Sequence, residues 1–558
     1  MLERAFSFCI KISRNIDPAC GCGNFLIITY QKLRELEHEI LKLLYDNTQI
    51  GMVNVLYTKV GLHQFYGIEI EDFPCEIAKV SLLLMKHLMD QEISHYFGMN
   101  LIDFPIRDNA NIIQGNALRM DWAEVVSKDE LDYIIGNPPF LGARIMSAEQ
   151  KQDVLHVFGN TKNIGNLDYV ACWYRKAADL MHTKNIRAAL VSTNSITQGD
   201  QVAILWKPLL KEGIKIDFAY RTFKWSNEAK GKAAVHCVII GFSLGGMVTQ
   251  KVIYENGLGI HALSINPYLV DAPDIVVESR QKSICDVPEI GIGNKPIDGG
   301  NYLFTEGEMK EFVQKEPQAA PNFHLWFGSD EFINRRPRYC LYLGELSPSE
   351  LRKMPLSLAR INAVRQLRLE STSAGTRKIA ETPARFHVTN IPHGPYLLVQ
   401  KVSSERRVYV PIGFMSQHEM ASDLVFVIPD ATMYHFGVLT SGAHMAWMRT
   451  VAGRLEMRYR YSKDIVYNNF IWPNCTVEQK VKIERAAQGI LDARAKYPND
   501  TYADLYDETV MPYDLRKAHQ DNDRAVWDAY GRAWPINDEI ACVAYLMKLY
   551  QEMTMKTN

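Results

Sequence analysis

At 558 residues the chain is too long for one hydrophobic core and is expected to form two or three domains. Its 47% hydrophobic and 23% charged residues and formal net charge of −2 exclude binding to nucleic acid through overall charge, so any such surface has to be local. Ten cysteines without a C-x-x-C pair exclude a disulfide framework and a cysteine zinc site, and no apolar run is long enough to span a membrane.

The opening "MLERAFSFCIKISRN" lacks a signal-peptide core, and a cytoplasmic protein is expected. "IDPACGCGNFL" then reads as strand, turn and helix start, and the helix that follows carries Leu33, Leu36, Ile40 and Leu44 at helical spacing. "FYGIEIED" is a short strand before the apolar helix "CEIAKVSLLLMKHLM". "ANIIQGNAL", "LDYIIGNPPF", "IRAALVSTNSI" and "IKIDFAYRTF" are further compact apolar runs, with helices such as "DYVACWYRKAADLM" between them. "IDFAYRTFKW" and "AAVHCVIIGFS" have the pattern of a terminal hairpin. Strands alternating with helices over residues 1–245 predict a doubly wound, mostly parallel α/β sheet covered on both faces. From 250 to 472 short β-like stretches ("PYLLVQKV", "RRVYVPIGFM", "ASDLVFVIP", "SKDIVYNNFIWP") surround a helix-like "MYHFGVLTSGAHMAWM", which predicts an α+β domain. Residues 473–558 are polar and helical.

The chemistry sits at strand ends. In "DPACGCGNF" the strand stops at Asp17, and Gly21 and Gly23 occupy the turn before the helix, where glycine lets backbone come close to a ligand. A purely structural turn, or a dinucleotide site, has the same look. Glu69 in "YGIEIE", one βαβ unit on, can accept two ribose hydroxyls or be a solvated carboxylate. Asn116 in "QGNAL" could face an adenine ring. "GNPPF" closes a fourth strand: Pro138 and Pro139 remove two backbone donors and fix φ, so the carbonyls beside Asn137 are stiffly aimed.

Together, "DPACGCGNF", "GIEIE", "GNAL" and "GNPPF" resemble class I S-adenosylmethionine-dependent methyltransferases that act on exocyclic amines of DNA, in the gamma arrangement of the adenine enzymes. "LDYVACWYRKAADL", "RTFKWSNEAKGKAAVHCVIIGF", "PDIVVESRQKSI" and "YRYSKDIVYNNFIWP" carry the likeness on to the MmeI-like family, over nearly the whole chain. The resemblance implies a Rossmann-like methyltransferase domain at 1–245, a target-recognition domain at 250–472 and a small helical domain at 473–558. It implies that Asp17, Ala19, Gly21, Gly23, Asn24, Glu69, Ile70, Asn116 and Ala117 hold S-adenosyl-L-methionine. It also implies that Asn137, Pro138, Pro139 and Phe140 form the catalytic segment. The Asn137 side-chain oxygen and the Pro138 carbonyl would take the two amine hydrogens of an adenine swung out of the duplex, and Phe140 would stack on the base.

Other readings are weaker. The one Pro-Cys pair, Pro74-Cys75, opens a helix and does not fit a cytosine-carbon methyltransferase loop. "PDIVVESRQK" resembles a metal-nuclease pattern, but Arg280 replaces its lysine, and a structural strand and turn is expected there. Cys20 and Cys22 have no partner pair for a metal. For double-stranded DNA, the basic stretches 360–385 and 454–463 stand out, as does Lys224 beside Trp225. Arg458 and Arg460 at period-two spacing are the expected base or phosphate contacts, and the first stretch reads equally as a solvated helix face.

MmeI-like proteins also carry an N-terminal nuclease and a helical spacer, whereas this chain starts sixteen residues before Asp17. No nuclease activity is expected. An orphan methyltransferase, a fragment completed by a separate chain, and a non-catalytic DNA-binding remnant all stay open. So does an amine methyltransferase for protein glutamine or RNA, although residues 250–472 argue against it.

Overall fold

The computed structural model describes residues 13–45, 58–98, 110–182, 185–225, 235–245, 250–532 and 538–557. Four short strands come first: β1 (Asn15–Asp17), β2 (Phe65–Glu69), β3 (Asn111–Gln114) and β4 (Tyr133–Gly136). β5 (Arg187–Thr193), β6 (Ile214–Trp225), β7 (Val235–Leu244), β8 (Lys251–Glu255) and β9 (Leu258–Ala262) complete a sheet of order β3-β2-β1-β4-β5-β7-β6-β8-β9. The first five strands are parallel, and β7 lies antiparallel between β5 and β6. Helices α1 (Asn24–Tyr45), α2 (Asp72–Tyr96), α3 (Ala148–Phe158), α4 (Ala171–Met181) and α5 (Gly199–Lys211) connect them. This is the doubly wound α/β fold expected from the alternation of elements. The hairpin of β6 and β7 is not terminal, because β8 runs parallel to β6 and brings β9 to the sheet edge.

The buried face of α1 differs from the leucine stripe read in the sequence. Leu26, Tyr30, Arg34, Glu37, His38 and Leu41 face inward, while Leu36 is 52% exposed and the Leu44 side chain lies outside the described set. The reason is an ion network. Arg34 pairs with Glu37 at 3.3 Å and with Asp90 of α2 at 2.8 Å. A pattern scored on apolar residues alone cannot register a face whose centre is a buried, paired arginine.

Two compact units result, residues 1–276 and 277–558. In the second, β10 (Gly291–Ile292), β14 (Tyr396–Gln400), β16 (Ile412–Met415) and β18 (Val425–Pro429) form an antiparallel sheet of order β10-β18-β14-β16. A second sheet holds β11 (Leu303–Phe304), β12 (Phe323–Phe327), β13 (Arg338–Leu341) and β17 (Glu419–Ala421). A third, of order β15-β20-β19, holds β15 (Val402–Ser403), β19 (Gly453–Leu455) and β20 (Arg458–Arg460). The helices Val477–Ala495 and Tyr513–Ala529 pack together in the same unit, burying Ile483, Ile490, Leu515 and Val526.

Three local expectations are corrected. "SKDIVYNNFIWP" is no strand: Lys463–Tyr467 is one π-helical turn. Asn469 Nδ2 donates to the carbonyls of Glu278, Asp464 and Ile465, and Asn468 Nδ2 donates to that of Arg280, so side chains replace a strand ladder. The segment "PDIVVESRQK" likewise lies outside the strands, with Asp274 paired to Lys215 at 2.5 Å. "MYHFGVLTSGAHMAWM" is two helices, Met433–Leu439 and Gly442–Val451, and Ser441 caps the second through His444 N. Among the described residues no helix is long and apolar enough to cross a membrane.

Candidate active site

In an open parallel sheet, ligands bind outside the carboxyl ends of the strands where the winding reverses. Here the chain winds from β1 out to β3, then restarts with β4 on the other side of β1, so the reversal falls between β1 and β4. Asp17 ends β1 and Gly136 ends β4, and they touch. A β-carbon on Gly136 would lie 2.5 Å from Asp17 Oδ1. Asp17 is 1% exposed and accepts a hydrogen bond from Ala19 N at 3.0 Å. Burial pushes its carboxyl up to about 7, with the charge of Glu69 adding to the rise and the Ala19 bond opposing it.

The turn after β1 is built to approach something closely. Gly21 has φ +53° with open space where a β-carbon would point. Gly23, at φ +85°, packs so tightly on α2 that a β-carbon would meet that of Ala78 at 3.0 Å. Glu69 holds this turn from the end of β2: its carboxylate accepts from Gly21 N at 2.9 Å and from Glu71 N at 3.1 Å. Ile70 beside it is 59% exposed, and Asn24 is exposed at the start of α1.

At the end of β3, Asn116 Oδ1 accepts from Leu118 N at 2.9 Å, and its Nδ2 donates to Asp153 at 3.2 Å. Ala117 is buried, its carbonyl bonded by Trp122 Nε1 at 2.8 Å. Asp153, on α3, also receives Arg119 Nε at 2.7 Å and Tyr169 OH at 2.7 Å. Burial alone would raise its pKa, but these hydrogen bonds outweigh it and hold the carboxyl below its ordinary value.

At the end of β4, Pro138 is buried, Pro139 exposed and Phe140 half-buried. Asn137 Oδ1 is buried and makes no hydrogen bond among the described residues. A buried acceptor in a folded protein normally has a donor. The loop leaves this point held by its next residue: Leu141 N donates to Asp168 Oδ1 at 3.1 Å, and Leu141 O accepts from Tyr169 N at 3.0 Å. Trp173 of α4 reaches back to the first turn, its Nε1 donating to Pro18 O at 3.0 Å.

The arrangement of strand ends is shared with known proteins. The DNA-methyltransferase domain of MmeI matches residues 4–255, the MmeI target recognition domain residues 271–474, and the MmeI C-terminal domain residues 476–557. The solved type IIL restriction-modification enzyme MmeI, in complex with DNA, superposes with a TM-score of 0.87 at 47% identity, covering 99% of this chain and 74% of that one. The chain belongs to the MmeI family. DNA methyltransferase A of Bacillus subtilis (strain 168) is 42% identical over 543 residues, 96% of this chain. The chain spans 61% of the length of that relative.

Within this MmeI-family fold the nine expected cofactor positions fall on the carboxyl ends of β1, β2 and β3, the turns that follow them and, for Asn24, the first residue of α1, and the four expected catalytic positions follow β4 directly. The sequence reading missed Asp153, Asp168, Tyr169 and Trp173, which tie those strand ends together. For Asp168, Tyr169 and Trp173 the signal was the crowding of an acid and two aromatics in "DYVACW", read as a helix and as part of the family likeness but not as a site; Asp153, inside a helix, gave none. Lys224 is exposed near the end of β6, opposite His236 of β7, and residues 226–234 beyond Trp225 lie outside the described set. In the second unit Arg458 and Arg460 are exposed on either side of buried Tyr459, with Arg458 paired to Glu456 at 3.0 Å. In the basic stretch 360–385, Arg368 is fully buried, so that stretch is not simply a solvated face.

Proposed function

We propose that the chain is a site-specific DNA methyltransferase that transfers a methyl group from S-adenosylmethionine to the N6 amine of an adenine held outside the duplex. The observation that carries the reading is the unpaired, buried oxygen of Asn137 at the end of β4. An acceptor kept dry and without a donor is suited to an amine hydrogen supplied by a substrate. The Pro138 carbonyl is the second acceptor. With both amine hydrogens held, the lone pair withdraws from the ring and points in one direction, so positioning and electrostatics do the work and no covalent intermediate is needed. Phe140 offers an aromatic face for the base, which has to leave the stack first.

The chain's residues fit the cofactor. The open space over Gly21 admits close approach, and the carboxylate of Glu69 has acceptor capacity beyond its two backbone hydrogen bonds for ribose hydroxyls. Asp17, Ala19, Gly23 and Asn24 frame the same turn, and Ile70, Asn116 and Ala117 frame the adenine side. When bound, the cofactor supplies an electrophilic methyl group on a sulfonium. Double-stranded DNA is the partner, with Arg458, Arg460 and Lys224 as contacts from exposed positions. The likeness to a DNA methyltransferase and to a restriction-modification enzyme solved with DNA supports DNA and restriction-modification as the setting, and Asn-Pro-Pro-Phe supports adenine as the base.

The test is transfer of labelled methyl from S-adenosylmethionine to mixed-sequence DNA, followed by nucleoside analysis. N6-methyladenine in product from wild type, and none from Asn137→Ala, is expected. N4-methylcytosine would correct the base. Label on RNA or protein glutamine would replace the substrate, and cofactor and DNA binding without transfer would leave the non-catalytic reading.

A further inference from the structure

Asp168 has no assigned role, yet its side chain meets three parts of the first unit. Oδ1 accepts from Leu141 N at 3.1 Å and from Val170 N at 3.3 Å, and Oδ2 accepts from Thr193 Oγ1 at 3.0 Å. Its own N–H donates to Gln201 Oε1 of α5 at 2.9 Å. The residue is 4% exposed, and it joins the exit of the 137–140 segment to the start of α4, the end of β5 and α5.

The segment it anchors has little else to fix it. Pro138 and Pro139 have no N–H, so that stretch of chain is stiff in φ but cannot donate to its surroundings. Its entry is set by the β4–β5 ladder, which ends at Gly136↔Leu190. Leu141 is at its exit, with the N–H held by Asp168 and the C=O held by Tyr169. A four-residue span pinned at both ends has few conformations left, which is what a short acceptor pair needs to keep its aim.

We propose that Asp168 is a positioning residue, one that sets the place of Asn137 and Pro138 by fixing Leu141 and referring it to β5 through Thr193. For catalysis this rests on the methyltransferase reading above; for the loop it does not. Asparagine at 168 keeps an acceptor for Leu141 N. It also turns an N–H toward Thr193 Oγ1, which can then direct its own hydrogen to Ser195 Oγ, 2.6 Å away. Alanine removes both contacts and the one from Val170 N.

Hydrogen exchange and kinetics test this in the full chain. In Asp168→Ala the Leu141 amide is expected to exchange at least about tenfold faster, with β4 and β5 unchanged, and Asp168→Asn is expected to restore most of the protection. kcat for methyl transfer is expected to fall about a hundredfold in Asp168→Ala with KM for cofactor and DNA within about threefold, the pattern of a misplaced group. Thr193→Val, which trims one hydroxyl, is expected to move both readouts about threefold and decides the matter if Asp168→Ala does not fold. Leu141 exchange that is unmoved, or raised equally throughout β4 and β5, overturns the assignment. If wild type transfers no methyl group, the functional reading fails, and the exchange result still decides Asp168.

Discussion

Asn137 in the first unit and Arg368 in the second are both polar groups removed from water, and they are treated in opposite ways. All five N–H groups of Arg368 are used: Nε on Ile297 O, Nη1 on Ile379 O and Thr382 O, Nη2 on Pro296 O and Arg385 O, all within 3.0 Å. Asn137 Oδ1 has no partner among the described residues. A buried group whose hydrogen-bonding capacity is fully used is committed to the fold, whereas one left open costs stability and is available to a ligand. Burial alone does not separate the two; they differ in that Arg368 has used every donor while the buried oxygen of Asn137 has its acceptor capacity open at a strand end beside Pro138.

The comparison is sharpest in activity. Asn137→Ala is expected to lower kcat for methyl transfer about a thousandfold, the scale of losing one preorganised polar contact to a reacting group. Stability is expected to stay within about 1 kcal/mol of wild type, because no internal hydrogen bond is lost. Unfolding by denaturant alongside the transfer assay checks both, and a large loss of stability would make Asn137 a structural group like Arg368.

Arg368→Ala is expected to show the reverse pattern. Five carbonyls lose their donor in a dry site, and a loss of about 3 kcal/mol or more from the second unit is expected in urea unfolding. Arg368→Lys should recover little, because an ammonium has three donors and no planar fork. Cofactor binding by calorimetry, at a temperature where both variants are folded, is expected to match wild type. A variant as stable as wild type would mean that these carbonyls find water.

How legible all this was in the sequence follows the same division. β2 to β5 were readable because each is an apolar run closed by a polar residue or Gly, β1 because Asp17 and the glycines after it mark a strand end and a turn, and alternation with helices sets the fold class. The four motifs were readable as strand ends, where residue type and position coincide; the chemistry they carry is the proposal made above. Arg368 was not, because a composition count takes an arginine in "RQLRLE" as surface charge and cannot see five carbonyls arriving from residues 296, 297, 379, 382 and 385. The same blindness shifted the inward face of α1, centred on Arg34, and turned "SKDIVYNNF" into a strand although its asparagines bond the backbone. Asp153 and Asp168 were missed for a related reason: the strand-end and loop groups they hold lie 16 to 37 residues away in sequence, and only the folded chain brings them together.

Gly136→Ala probes the contact where β1 and β4 meet. Its β-carbon would fall 2.5 Å from Asp17 Oδ1, so a carboxyl held by Ala19 N has to give way. Overpacking of this kind is expected to cost about 2 kcal/mol and to lower the melting temperature accordingly. Asp17→Gly in the same chain removes the obstacle, so the double variant should lose less than the sum of the two single losses. Additive losses would mean that the two residues do not meet in solution.

The smallest expected effect concerns the proton on Asp17. In the folded chain its carboxyl is pushed by burial from an ordinary 3.8 to about 7. Between those values the folded state holds a proton that the unfolded state has released. Its contribution is therefore fully present below the unfolded value and is lost as pH rises through about 7. Asparagine at 17 is neutral at every pH and keeps the acceptor for Ala19 N, so Asp17→Asn removes this slope. The melting temperature of wild type minus that of Asp17→Asn is expected to fall by about 3 °C from pH 5 to pH 8. Asp523, buried in the second unit and pushed up to about 6, has the same sign but is present in both chains and cancels in the difference. A difference constant across that range would show that Asp17 titrates as an ordinary carboxylate, and that the crevice between β1 and β4 is wetter than its buried polar groups imply.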